Sequence, residues 1–174
     1  MDTMIGRRRM LGIAALLAAT SMRGQTSHAA AADPAGKPIL TVTGKIKLPN
    51  HDGPAVFDRA ALEGLGMTGF ETSTPWYNVP VRFDGVLMSR LLDAIGAYGD
   101  RLTAYALNDY QTDIPVEDVR RFGAILALKR DGQYMPVRDK GPLFIVYPYD
   151  SDPELKSQRY YTRSAWQVNR LNIS

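Results

Sequence analysis

The chain has 174 residues, of which 45% are hydrophobic and 22% charged, the composition of one globular domain that buries a core without metal or disulfide support. Four of its 21 basic residues (Arg7, Arg8, Arg9, Arg23) and one of its 18 acidic residues (Asp2) precede Asp33. That leaves 17 of each sign from Asp33 onward, with no charge excess to hold a nucleic-acid backbone. Cysteine is absent and the only histidines are His28 and His51, which excludes disulfides, thiolate chemistry, multi-histidine zinc sites and iron–sulfur clusters.

The first 32 residues read as a cleaved export signal peptide. A charged stretch, GRRRML, precedes an apolar run from Met10 to about Ala19, and small residues follow up to Asp33. The paired arginines resemble a twin-arginine signal, although an arginine run also serves an ordinary secretory leader. The apolar run is too short to span a bilayer as a helix, so the expectation is a periplasmic protein with no membrane insertion after cleavage, which falls after Ala30 or Ala32.

Residues 33–38 form a Pro/Gly tether, and 39–174 the domain. ILTVTGKIKL alternates apolar and β-branched residues with polar ones, as a half-buried strand does. NHDGPAVFD reads as a turn, with His51 at the surface. Asp58 then N-caps a short helix ending at Gly64 or Gly66. Thr72–Trp76 reads as a hydroxyl-rich loop, and Phe83-Asp84-Gly85 as a turn ahead of VLMSRLLDAIGA. Leu87, Leu91, Leu92 and Ile95 share one face of that helix, closed by Gly96.

LTAYALNDY reads as a strand and IPVEDVRRF as a short helix after Pro115. AILALKRDGQYMPV reads as a hairpin turning at Asp131-Gly132. PLFIVYP is a buried strand in which alternation directs one of Tyr147 and Tyr149 away from the core. The C-terminal stretch, with Trp166, Val168, Leu171 and Ile173, has an edge-strand pattern. Strands outnumber helices and do not alternate with them regularly, which predicts an α+β domain with a mixed or mainly antiparallel sheet and short helices.

Four stretches, in this order, carry a family resemblance: TSTPW from Thr72, LNDY from Leu107, VRDKGPLFIVYP from Val137 and RSAWQVNRLNI from Arg163. Together they resemble the molybdopterin-binding domain of the sulfite-oxidase superfamily, in particular its small stand-alone periplasmic members. The resemblance implies that fold. Catalytic members place a molybdenum-ligating cysteine shortly before a tryptophan, whereas this chain has Thr72, Ser73 and Thr74 before Trp76. A hydroxyl does not replace a soft thiolate, so bound molybdenum is not expected. What the resemblance then implies is a non-catalytic protein that binds a free pterin and reports it to the periplasmic domain of a membrane signalling protein, such as a cyclic-dinucleotide enzyme. The alternative is a molybdopterin-dependent oxidoreductase, or an accessory subunit of one.

A pterin asks for aromatic faces and for in-plane donors and acceptors. Trp76, Tyr110, Tyr147 and Trp166 are the candidate faces; Thr72, Ser73, Asn108, Asp109, Arg138, Asp139 and Lys140 are the candidate polar partners. Asp109 is the choice for the amino-pyrimidine edge, since a carboxylate accepts two N–H groups side by side. Gly141 would allow close backbone approach, and Arg163 and Trp166 would close the site from the C-terminal side. Each residue has a plainer reading too: Trp76 capping a sheet edge, Asn108 and Asp109 forming a turn, RDKG a solvated turn, Trp166 core. Asp150, Asp152 and Glu154 read as a solvated connection.

Overall fold

A computed structural model of the chain describes residues 36–48 and 53–174. The leader, the first half of the tether and His51 lie outside the described residues. The alternating run forms β1 (Leu40–Gly44), which buries Leu40 and Val42. After β2 (Ala55–Phe57), Asp58 caps α1 (Arg59–Gly64) as expected. One carboxylate oxygen accepts Ala61 N–H at 2.8 Å, and the other accepts Gly36 N–H at 2.6 Å.

A long hairpin of β3 (Met67–Thr74) and β4 (Tyr77–Leu87) turns at Pro75-Trp76 and leads into α2 (Met88–Ala94), whose Met88, Leu91 and Leu92 are buried. β5 (Arg101–Ala106) and β6 (Gln111–Pro115) make a second hairpin. α3 (Val116–Phe122) has acids in its first turn and arginines in its last, each complementing the helix dipole, and stops at a left-handed Gly123. β7 (Ile125–Arg130) and β8 (Gln133–Tyr134) then turn at Asp131-Gly132, both at positive φ, as a two-residue hairpin requires. β9 (Phe144–Val146), α4 (Gln158–Arg163) and β10 (Val168–Ile173) complete the chain.

Two sheets result. The first runs β2-β1-β10-β5-β6, with β1 and β10 parallel and every other pair antiparallel. The second runs β3-β4-β7-β8, with β9 sharing the far edge of β7. Val42, Leu102 and Leu171 of the first sheet and Phe83, Leu126 and Ile145 of the second belong to one continuous core. This is the expected α+β class with short helices. Among the described residues, no helix is long and apolar enough to cross a membrane.

Several local expectations are corrected. Ala55–Phe57, within the segment read as a turn, is a strand, and Gln111–Pro115 adds a strand that the sequence reading did not include. Thr72–Thr74 ends a strand instead of sitting in a loop. Phe83-Asp84-Gly85 lies inside β4, where the register against β7 slips between Asp84 and Gly85; an Asp-Gly pair serves a bulge as readily as a turn. A Cβ on Gly85 would lie 2.2 Å from the Leu126 carbonyl oxygen, so the strands approach only because the position is bare. β10 is interior, not an edge: its alternation reflects one buried face, which says nothing about neighbours on either side. Tyr147 and Tyr149 are both buried, because β9 ends at Val146 and a tight turn, Tyr149 N–H to the Tyr147 carbonyl at 2.9 Å, breaks the alternation.

Asp58 both caps α1 and holds the segment leading into β1 through Gly36. Asp58→Ala is expected to lower unfolding free energy by about 1–2 kcal/mol, measured by urea denaturation.

Candidate functional site

The two sheets meet at Trp166. It forms an isolated antiparallel bridge with Phe144 of β9 two residues before β10 begins. Around this junction lies a cavity of about 320 Å³, lined by Pro75 and Trp76 from the β3–β4 turn, Asn108 and Tyr110 from the β5–β6 connection, Gln158, Tyr161 and Thr162 from α4, and Ser164, Ala165 and Trp166 after it. The volume falls at the small end of the range for organic-ligand sites, roughly 300–1,000 Å³.

Trp76 is the organising wall. Its ring meets Phe144, Tyr149, Tyr161 and Trp166 edge-on, with centroids 5.4, 6.2, 6.2 and 5.7 Å away. Edge-to-face pairs of this kind contribute about 0.5–1.5 kcal/mol each beyond their buried area. Tyr110 reaches across from the β5–β6 connection and donates its hydroxyl to the Thr162 carbonyl at 2.7 Å. Asn108 accepts Tyr110 N–H at 3.3 Å, an Asx turn that leaves its amide NH₂ as a donor at the cavity. Lys140, held at φ 63°, sets its ammonium over the Trp166 ring at 4.7 Å and the Tyr77 ring at 5.4 Å.

Of the residues proposed from sequence, Trp76, Asn108, Tyr110 and Trp166 line this cavity, and Lys140 adjoins it through Trp166. Thr72 and Ser73 lie behind the wall. The Thr72 hydroxyl accepts Asp150 N–H at 3.1 Å, and Ser73 N–H is donated to the Asp150 carboxylate at 2.6 Å. Asp109, exposed at φ 64°, borders a neighbouring polar cleft with Tyr105 and Arg170, on the other side of Tyr110. Arg138 is exposed in a 3-10 turn (Val137–Asp139), and Asp139 is paired with Arg130 at 2.8 Å. Gly141 is buried where a Cβ would fall 1.8 Å from the Met135 carbonyl oxygen; its bareness serves chain packing. Arg163 is ion-paired with Asp118 and borders a larger, open cleft of about 890 Å³ beside α3. There Arg101, Arg120 and Arg121 are likewise paired, with Asp113, Asp93 and Glu154, so the cleft offers no surplus positive charge.

Gln158, Tyr161 and Thr162 are not among the candidates read from sequence, because the strand pattern that ends the C-terminal stretch draws attention away from the helix before it. The signal was present: Ser157 occupies the cap position, and spacings of three and four put all three side chains on one helix face.

Tyr147 is fully buried away from the cavity lining, and its hydroxyl has no hydrogen-bond partner among the described residues. Burial, more than the nearby Asp118 charge, pushes its phenol well above the usual tyrosine range. Tyr149 is pushed in the same direction by burial, but its hydroxyl is bonded to the Ser164 hydroxyl. Asp150 is held down to about 2, first by Lys156 and then by Ser73 N–H.

No family model matches the chain, and no curated protein matches it. Among solved structures, the sulfane dehydrogenase SoxCD of Paracoccus pantotrophus aligns with a TM-score of 0.59 at 19% identity, over 77% of this chain. The aligned region spans 37% of that chain. At this identity the likeness shows the fold, which is sulfite-oxidase-like.

Two outcomes follow. Tyr147→Phe removes an unsatisfied buried hydroxyl and is expected to raise stability by about 1 kcal/mol, whereas Tyr149→Phe removes a buried hydrogen bond to Ser164, whose hydroxyl keeps only its bond to the Tyr160 carbonyl, and lowers stability by about 1 kcal/mol, both read by chemical denaturation. Because the folded Asp150 carboxyl titrates near 2 against an ordinary 3.8, its contribution is complete above about pH 4 and lost as pH falls toward 2. Asp150→Asn should therefore flatten the acid limb of a stability–pH profile in that window, and added salt should shrink the difference because the pair is exposed.

Proposed function

We propose that this protein binds a free pterin, or a flat heterocycle of the same donor–acceptor pattern, in the Trp76 cavity without carrying out chemistry on it. The observation that carries this reading is the cavity itself: indoles on two sides, a tyrosine bridging a third, and the polar groups of Asn108, Gln158 and Thr162 between them. Aromatic walls hold a flat ring, and amides and hydroxyls supply neutral donors and acceptors at its edge. Asn108, on the cavity, takes the in-plane role, since Asp109 borders the neighbouring cleft.

The donor set does not fit molybdenum. The chain contains no cysteine, and among the described residues there is no group of three His, Cys, Asp or Glu side chains placed to hold a metal ion. Of the three hydroxyl residues that stand before Trp76 in place of a cysteine, Thr72, Ser73 and Thr74, the first is engaged by Asp150 N–H and the second gives its own N–H to the Asp150 carboxylate. The likeness to a dehydrogenase favours, as the second reading, a subunit related to a molybdopterin oxidoreductase. The composition of residues 1–32 supports export to the periplasm, where a ligand-loaded protein would report to a membrane-bound receptor.

Denaturing the purified protein should release a fluorescent pterin without stoichiometric molybdenum; metal at one atom per chain would favour the second reading. Trp76→Ala and Trp166→Ala should each weaken binding of added pterin by about tenfold or more in a fluorescence titration. Tyr147→Phe should leave it unchanged.

A further inference from the structure

The β3–β4 turn that carries Trp76 is not secured by its own ladder. The register slips between Thr72 and Thr74, so Ser73 has no partner on β4 at the last step before the tip. Its freed N–H points to the connection after β9, where Asp150 accepts it at 2.6 Å. The same Asp150 donates its own N–H to the Thr72 hydroxyl at 3.1 Å, and Thr72 is 1% exposed. Two consecutive residues of the hairpin are thus clasped to one residue of the neighbouring segment, through both its side chain and its main chain. Lys156 braces the other carboxylate oxygen at 2.7 Å, and the adjacent Tyr149 ring packs against Trp76 while its hydroxyl is tied to Ser164.

We propose that Asp150 is the positioning residue of the cavity, holding the end of β3 next to the turn so that the Trp76 indole stands as a fixed wall. Asp150 does not line the cavity and acts only through Thr72 and Ser73. Without the clasp the ring contacts of Trp76 remain, but the turn that presents them gains freedom, and binding must then restore its order. The effect on ligand rests on the pterin reading; the effect on Trp76 does not.

The test uses a Trp166→Phe background, in which Trp76 is the sole indole, with acrylamide quenching measured without ligand and pterin affinity measured in the two-tryptophan protein. Asp150→Ala is expected to make Trp76 more accessible to quencher and to weaken pterin binding by about five- to tenfold, seen mainly as faster dissociation. Asp150→Asn, which keeps an oxygen for Ser73 N–H and the main-chain donor for Thr72, should restore both to near the parent values. Thr72→Val, nearly isosteric and lacking the acceptor, should shift quenching in the same direction as Asp150→Ala, so the proposal stays testable should that variant fail to fold. Unchanged Trp76 quenching in either folded variant overturns the proposal, as does failure of Asp150→Asn to rescue. If the parent protein binds no pterin, the ligand reading fails while the quenching series still decides the role of Asp150.

Discussion

Two backbone hydrogen bonds join β9 to the segment entering β10: Ile145 N–H to the Ala165 carbonyl and Val168 N–H to the Leu143 carbonyl, both at 2.9 Å. A third, Gln167 N–H to the Lys140 carbonyl at 3.1 Å, extends the contact, with Gln167 and Lys140 both at positive φ. These bonds connect the two sheets, and they fix where Trp166 and Phe144 stand. Trp76 packs on both members of that pair, Tyr149 and Tyr161 pack in turn on Trp76 and on each other, and the cavity lies between Trp76, Tyr161 and Trp166. Disturbing the junction would loosen the aromatic cluster with it, since the same residues serve both.

Elements whose signal is local were legible in the sequence. Asp58 announced α1, the Leu91–Leu92–Ile95 face announced α2, Asp131-Gly132 the hairpin, and the apolar run ending at Val146 a buried strand. What failed depended on partners distant in the chain. The Asp84-Gly85 step is a turn signal used as a bulge, because β7 lies alongside. β10 gives no hint of its central place, because its outward residues meet solvent whether or not strands flank it. Tyr147 and Tyr149 escaped alternation because a strand of three residues is too short to carry the pattern across Pro148.

The candidate site shows the same division. Trp76 stands out because a large aromatic in a hydroxyl-rich segment lacks an obvious packing reason, Asn108 and Asp109 because they end an apolar strand, where sites are commonly built, and Tyr110 as an aromatic face beside them. Between neighbours such as Asn108 and Asp109, only the turn geometry decides which one faces the cavity: Asp109 adopts the left-handed conformation and points its functional group to another cleft. Asp150 read as one more acid of a solvated loop, since its partners, Thr72 and Ser73, are 78 and 77 positions away.

The cluster around Trp76 has a thermodynamic consequence for whatever enters it. An indole has few rotatable bonds, and this one already meets four rings before a ligand arrives. Little rotamer entropy is left to surrender on association, so a rigid guest matching the gap loses mainly its own translational and rotational freedom. Such a receptacle selects by shape, because the cost of reshaping it falls on any molecule that does not fit.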